Sequence, residues 1–310
     1  MTMTKTTAEA ARRTRPATEE IHRTKAEITV DAPAELVYRT LTDVAGWPLL
    51  YPWIVHTEIV EQRGTEDLSK FWAVRPGPEG GLRIWQSRRR LHDDTLRMVF
   101  EQQGTVGAIR RLGGEWRFIA LEGGGCRVES HHWFTTDQDP EITAGELDRH
   151  GALQMRTLKA AVEGREQDGP LVLRAECRAL LPGTVEDVHA RLSAALGQDG
   201  TAEETAVFGT ADTPHPDGST GRGRTAHIGR APHTIVVKHL DPPREFALYR
   251  RSWRLAQEAD GVRVTAERLA VARPETLAAD PGGERRAELL AWLGQGMEQD
   301  LPEGVGHLVG

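Results

Sequence analysis

The same order of predicted strands and helices occurs twice along this chain of 310 residues, and this repetition constrains the fold more than any other feature. Residues 25–41 (KAEITVDAPAELVYRTL) alternate as a strand and then, after Pro33, place apolar side chains at helical spacing. Residues 171–196 repeat that order, with Thr184 and Asp187 at the spacing of a capping box. Several strand candidates separated by turn residues follow in each half, and a long helical pattern closes each half.

The two closing helices carry apolar stripes that need a partner surface. In the first half the stripe steps by three and four residues, and in the second by four: Leu147, Gly151, Met155, Leu158 and Val162; Leu289, Leu293, Met297 and Leu301. An antiparallel sheet that curls around such a helix covers its stripe and leaves room for a cavity. The sequence therefore predicts an α+β protein of two tandem helix-grip domains, at residues 24–165 and 170–303, after a flexible tail at residues 1–23. The boundary is expected near residues 164–169 (GREQDG).

Composition excludes several classes of function. The net charge of −7 provides no basic field for nucleic acid, and no stretch approaches the roughly 20 apolar residues of a membrane span. The opening residues lack the apolar run of a secretory signal. Cys126 and Cys177 are too few and too far apart for a disulfide framework or a local metal site, so we expect two small core residues in a reducing cytoplasm.

One middle strand, residues 82–94 (LRIWQSRRRLHDD), places unusual residues together. Alternation puts Trp85, Ser87 and Arg89 on one face, and Arg88 and Arg90 on the other. Arginine is rarely buried without a partner, so this face suits a polar cavity better than a dry core. The alternative is that Arg89 forms an ion pair at the rim while Trp85 fills the core.

Four segments together carry a family resemblance: AGWPLLYPW (45–53), IWQSRRR (84–90), GEWRF (114–118) and VESHHWF (128–134). Their combination resembles the aromatase/cyclases of bacterial type II polyketide synthases, which belong to the START-like helix-grip superfamily. The doubled architecture from about residue 24 to 303 is similar to the di-domain branch of that family.

The resemblance implies an enzyme of antibiotic polyketide biosynthesis that needs no cofactor and no metal. Its cavity would take a poly-β-ketone tethered to an acyl carrier protein, and would cyclise, dehydrate and aromatise the first ring, with C7–C12 regiochemistry usual for di-domain members. The acyl carrier protein and other synthase subunits would be its partners. Matching the motifs gives Trp47, Tyr51, Trp85, Trp116 and Ser130 as substrate-binding residues, and Arg89, Ser87 and His132 as catalytic residues.

The residue types fit these roles. An aldol closure develops charge on an oxygen, which the permanently protonated Arg89 can stabilise and beside which Ser87 adds a hydroxyl. His132 shares a face with Ser130 and is the inward candidate for a proton shuttle, or else a hydrogen-bonded cavity histidine; the adjacent His131 points away, so the pair does not form a chelate. Trp47 is alternatively a lid, and Trp116 alternatively core. Outward arginines could meet an acidic carrier protein or form ordinary surface charge: Arg88, Arg90, Arg110 and Arg111.

The second half lacks both signatures. Lys238 stands nearest to the position of Arg89, and Arg224, Lys238 and Trp253 are the candidates for a second cavity. We expect a supporting domain with a degenerate cavity, although a separate step such as dehydration is a further reading. Two other functions fit the same fold: a START-like carrier or sensor of a hydrophobic aromatic molecule, and a protein-interaction scaffold. A cationic side chain deep in an aromatic cavity favours the enzyme.

Overall fold

The computed structural model describes residues 20–75, 80–164, 171–278 and 283–301. Residues 1–19 of the expected tail, and residues 165–169 of the expected boundary, lie outside these ranges. Within them the chain builds two antiparallel sheets with their helices, which confirms the predicted fold class.

The first sheet has seven strands in the order β1-β7-β6-β5-β4-β3-β2. The strands are β1 His22–Val30, β2 Ile54–Arg63, β3 Glu66–Val74, β4 Leu82–His92, β5 Arg97–Gln103, β6 Ile109–Ala120 and β7 Cys126–Thr136. Helix α1 (Ala34–Thr42) and the short α2 (Trp47–Leu50) lie between β1 and β2, and α3 (Pro140–Glu163) follows β7.

Asp139 is the N-cap of helix α3: its carboxylate accepts a hydrogen bond from the backbone N–H of Glu141 and so satisfies one of the unpaired donors of the first turn. Four of the five residues of its apolar stripe are buried, as the spacing predicts, and the first, Leu147, is half-buried and lines the cavity; the buried four are Gly151, Met155, Leu158 and Val162. The helix and the curved sheet cover each other and leave a cavity between them.

The second sheet has six strands in the order β8-β13-β12-β11-β10-β9. The strands are β8 Val172–Leu181, β9 Glu204–Pro214, β10 Thr220–Arg230, β11 Thr234–His239, β12 Phe246–Glu258 and β13 Gly261–Ala272. The helices are α4 (Val185–Ala195), α5 (Pro274–Leu277) and α6 (Glu284–Gly294).

The closing helix of the second half is shorter than its apolar stripe predicts. Helix α6 ends at Gly294, Gly296 takes a left-handed φ of 65°, and a 3₁₀ turn covers Met297–Asp300. The backbone carbonyls that follow the helix end accept hydrogen bonds from the Arg268 guanidinium, at 2.8 Å for Gln295 O and 3.2 Å for Gly296 O. Met297 and Leu301 are nevertheless buried. The whole apolar stripe is therefore buried, but only its first half, Leu289 and Leu293, lies on the helix.

The two sheets pack against each other through their outer faces. Val55 and Trp72 of the first sheet join Ala226, Ile228 and Val236 of the second in one fully buried cluster. Charged groups surround this cluster: Arg230 Nε donates to Glu58 at 3.0 Å, and Glu204 accepts from the Trp72 indole N–H at 2.9 Å and from Lys70. An apolar centre with a polar rim is typical of a stable interface, so the two halves form one packed body.

Cys126 is buried, Cys177 is half-buried, and both carry free thiols. Burial raises the pKa of each thiol to about 11, so both stay protonated. No helix in the described ranges has both the length and the apolar character to cross a membrane.

Candidate functional site

The first cavity lies between the inner face of the first sheet, helix α3 and residues 47–54, and has a volume of about 120 Å³. Seven of the eight site residues expected in this domain line it: Trp47, Tyr51, Trp85, Ser87, Arg89, Trp116 and His132. The eighth, Ser130, is fully buried behind the lining, with its Oγ 3.4 Å from His132 Nε2. The structure therefore brings seven of these eight residues together at one cavity.

The faces of β4 are as alternation predicts. The Arg89 side chain is 3% exposed and lines the cavity, whereas the Arg88 side chain is 45% exposed on the other face. Arg90 is also exposed and pairs with Glu66.

The partner of Arg89 differs from the expected one. Sequence reasoning offers Ser87, but the Ser87 hydroxyl lies 3.5 Å from Glu101 O. Instead, Arg89 donates from Nε to Asp67 Oδ1 at 2.9 Å and from Nη2 to Asp67 Oδ2 at 2.7 Å. Asp67 is 2% exposed, directly opposite Arg89 in the β3–β4 register, and also accepts from the Ser69 hydroxyl at 2.6 Å. The ion-pair alternative is thus correct in its chemistry, although the pair is deeply buried and not at the rim.

This bidentate pair leaves Arg89 with donors to spare. A third N–H reaches the carbonyl oxygen of Thr42 at 3.1 Å, so three of the five guanidinium N–H bonds meet oxygen. Another lies 3.9 Å from the sulfur of Met98, which also lines the cavity. Asp67 therefore fixes the plane of the guanidinium, and two N–H bonds have no oxygen acceptor among the described residues.

His132, on strand β7, lines the same cavity. Burial, aided by the nearby His150 and His131, lowers its pKa to about 4, so the ring is neutral at neutral pH. Its ring meets Phe100 edge-on with centroids 5.7 Å apart. His131 points outward to Glu129, with Nε2 and Oε2 3.1 Å apart, so the two histidines lie on opposite faces as expected.

A glycine pair makes room for these rings. An alanine Cβ at Gly114 would lie 2.3 Å from His131 O and 2.9 Å from the Phe100 ring, and one at Gly113 would lie 2.3 Å from the Trp133 ring. The absence of side chains at these positions of β6 lets the aromatic rings approach the backbone.

Sequence reasoning missed a polar group at another part of the cavity. Arg83 donates to Gln102 Oε1 at 3.3 Å and lies over the Trp85 ring, 4.8 Å from its centroid. His150 and Gln154 reach the same cavity from α3, and burial lowers the pKa of His150. Two signals could have found them: Arg83 shares the Trp85 face of β4, and His150 and Gln154 are four residues apart beside the apolar stripe.

Acidic partners surround the outward arginines. Arg88 pairs with Glu61, Arg110 with Asp137 and Arg111 with Glu101. This favours ordinary paired surface charge for any one of them.

The second cavity lies inside the second sheet and has a volume of about 460 Å³. It is larger than the first, so any degeneracy of this cavity lies in its residues and not in its size. Its lining comes from β9, β11, β12, β13, helix α6 and the residues after it, and includes His239, Tyr249, Arg251, Arg268 and Asp300.

The prediction that Arg224, Lys238 and Trp253 line this cavity is wrong, because none of the three is among its lining residues. Arg224 is exposed on β10 and pairs with Asp241 at 2.9 Å. Trp253 is core, and its indole N–H donates to Asp300 O at 2.6 Å. Lys238 lies on the opposite face of β11, toward the first domain. The inward residues of that strand are Ile235, Val237 and His239.

Comparison with known proteins finds similar sequences and similar structures. Residues 30–149 match the family model described as polyketide cyclase / dehydrase and lipid transport. The chain is 28% identical over 279 residues to the granaticin polyketide synthase bifunctional cyclase/dehydratase of Streptomyces violaceoruber, covering 85% of this chain and 83% of that protein. It is 26% identical over 267 residues to the actinorhodin counterpart of Streptomyces coelicolor, with 79% and 83% coverage.

Two solved structures share the fold along most of their length. The di-domain ARO/CYC StfQ from the steffimycin pathway superposes with a TM-score of 0.74 at 21% identity, covering 89% of this chain and 94% of that one. The di-domain ARO/CYC BexL from the BE-7585A pathway gives a TM-score of 0.71 at 24% identity, covering 88% and 92%.

Proposed function

We propose, on the premise that this chain belongs to the polyketide cyclase/dehydrase family in its two-domain form, that it closes and aromatises the first ring of a poly-β-ketone. The substrate would arrive tethered to an acyl carrier protein of a type II polyketide synthase, and the ring would form between C7 and C12. The two free thiols agree with a reducing compartment such as the cytoplasm.

The observation that carries this proposal is the Arg89 guanidinium, buried in an aromatic cavity and fixed by Asp67. In an aldol closure a base removes a proton from the carbon between two ketones, and that carbon bonds to a distant carbonyl carbon. The carbonyl oxygen takes up the electron pair and becomes an alkoxide. A positioned cation beside that oxygen stabilises the charge as it develops.

His132 is the candidate proton acceptor, because its lowered pKa keeps the ring unprotonated at neutral pH. After closure the alkoxide is protonated, a second α-proton leaves, and the hydroxyl departs as water. Enolisation of the remaining ketones then completes the aromatic ring without any oxidant or cofactor. Aromatic walls, including the stacked pair Phe71 and Trp85 with ring centroids 4.9 Å apart, would hold the chain folded and supply proximity.

A carrier or sensor of an aromatic molecule is the alternative. A neutral apolar ligand gains nothing from a guanidinium that is expensive to bury, which favours the enzyme. The test is product analysis of a reconstituted minimal type II polyketide synthase with and without this protein. A shift from spontaneous shunt rings toward one C7–C12 product supports the proposal, and unchanged products would contradict it.

A further inference from the structure

A lysine of the second domain contacts the wall of the first cavity. Lys238 on β11 is 3% exposed, and its ammonium Nζ donates to Ile54 O at 2.6 Å, with a longer contact of 3.4 Å to Pro48 O. Both acceptors are backbone carbonyls of the first domain. The contact therefore crosses the interface between the two sheets.

The alternation of β11 explains why this lysine faces outward. Val236 and Lys238 share the face that packs on β2, whereas Val237 shares the opposite face with the core of the second domain. Val236 belongs to the buried interdomain cluster, so Lys238 extends from a fixed apolar base. Its position is set by packing and not by a mobile surface loop.

The two carbonyls bracket one short segment, residues 47–54, which we call the wall segment. Pro48 lies in the four-residue helix α2, and Ile54 is the first residue of β2. Between them, Tyr51 and Trp53 line the first cavity, as do Trp47 and Ile54 at the ends. A helix of four residues has unsatisfied carbonyls at its end, and a cation is a strong donor for them.

We propose that Lys238 is a positioning residue, through which the second domain holds the wall segment in place and sets the width of the first cavity. Removing it would leave buried carbonyls without their charged donor and free the segment to shift. The positioning itself does not depend on the reaction, and only its effect on product distribution rests on the proposed function.

The surroundings of Lys238 support this role. Burial, reinforced by Arg250 across the strand pair β11–β12, lowers its pKa to about 7. The neighbouring charged and titratable groups are His56 on β2, Arg250 on β12, and the rim groups Glu58, Lys70, Glu204 and Arg230. Burial lowers the pKa of His56 to about 3, and α2 carries no charged side chain. Of the two buried groups Lys238 and His56, Lys238 is the one that changes charge between pH 6 and 9.

The test compares Lys238→Met with Arg230→Met, which removes a cation of similar length from the same interface. Arg230 contacts Glu58 and Glu204 and makes no hydrogen bond to the wall segment. Backbone hydrogen exchange of peptides covering residues 47–54 is the first readout. The second is the affinity for a 1,8-dihydroxyanthraquinone, measured by quenching of tryptophan fluorescence.

We expect Lys238→Met to speed exchange in residues 47–54 and to weaken binding of the anthraquinone by about tenfold, on the scale of one lost hydrogen bond to a charged group. Arg230→Met should leave both within about twofold, a range well below that scale. Unchanged exchange at residues 47–54, or faster exchange spread over both domains, would overturn the proposal.

The wild-type protein provides a measurement that needs no variant. After correction for intrinsic rates, protection of residues 47–54 should fall from pH 6 to pH 9, while protection of β10 stays constant. Constant protection in the wild type, combined with faster exchange in Lys238→Met, would uphold the positioning role and place the titration of Lys238 outside this pH range. If Lys238→Met loosens the wall segment while the wild-type protein leaves the synthase products unchanged, the positioning role is upheld and the proposed ring closure is rejected.

Discussion

Removing Arg89 alone should destabilise the first domain, so a loss of activity in that variant would not distinguish lost chemistry from unfolding. Asp67, 2% exposed, would lose both guanidinium bonds and retain only the Ser69 hydroxyl among its side-chain donors in the described structure. Breaking a buried ion pair from one side costs about 3–5 kcal/mol. Since a domain is stable by only about 5–15 kcal/mol, Arg89→Ala loses a large share of the free energy of unfolding.

The informative variant removes both charges. In Arg89→Met with Asp67→Leu no buried charge is stranded, and such apolar replacements are often close to neutral. We expect urea unfolding at pH 7 to show each single variant (Arg89→Met, Asp67→Leu) destabilised by about 3–5 kcal/mol, and the double variant to recover most of that loss. Arg89→Lys should recover stability only in part, because an ammonium lacks the planar fork that meets both Asp67 oxygens.

The refolded double variant then separates stability from chemistry. If the guanidinium stabilises the developing alkoxide, formation of the directed ring should fall by about 10²–10³, and shunt products should take its place. A double variant with native stability and the wild-type product spectrum would refute the donor role of Arg89. Single variants as stable as the wild type would refute the buried-pair argument beneath it.

Three further outcomes are expected. Burial lowers the pKa of His56 and of His239 to about 3, so below pH 6.5 the unfolded chain binds more protons than the folded one. The free energy of unfolding should therefore be constant above pH 6.5 and fall as the pH is lowered toward 3. The fall should be shallower in His56→Phe. A pH-independent stability in urea titrations would contradict this. With the pKa of His132 near 4, product formation should be flat from pH 8 to 6, and His132→Gln should slow it by about 10²–10⁴; an unaffected rate excludes the proton-transfer role. Gly114→Ala should lower the free energy of unfolding by about 1–3 kcal/mol, because the added Cβ would clash with His131 O. Gly145→Ala on α3, where the nearest atom is 3.6 Å from the added Cβ, should raise it by up to about 1 kcal/mol. Equal melting temperatures of the two variants would count against close packing at Gly114.

Alternation and helical spacing predicted the first domain well because its inner faces combine aromatic and polar residues in a pattern with one interpretation. Strand β4 is the clearest case, where Arg89 falls inside and Arg88 outside. Asp67 escaped prediction because a partner across a hairpin depends on the register of two strands, which no single strand encodes.

The second domain was harder for a physical reason. Strand β11 is apolar on both faces, since Val237 meets its own core and Val236 meets the other domain. Alternation then cannot indicate which face is inside, and Lys238 was assigned to the wrong one. A strand buried on both faces in an antiparallel sheet is itself a signal of an interdomain contact, and this signal was present in the residues TIVVKH.

The shared outer-face cluster limits how two-domain proteins of this kind can be recombined. Because Trp72 and Val55 are covered by Ile228 and Val236, a chimera that exchanges whole second domains between relatives also exchanges half of a buried apolar surface. Such a graft would leave a mismatched seam and, where Lys238 has no equivalent, an altered wall in the untouched first cavity. If the proposed ring closure is correct, the unit that must be transferred intact is the first domain together with β10 and β11 of the second sheet, which face it. Engineering that moves these strands with the first domain should then succeed where exchange at the domain boundary fails.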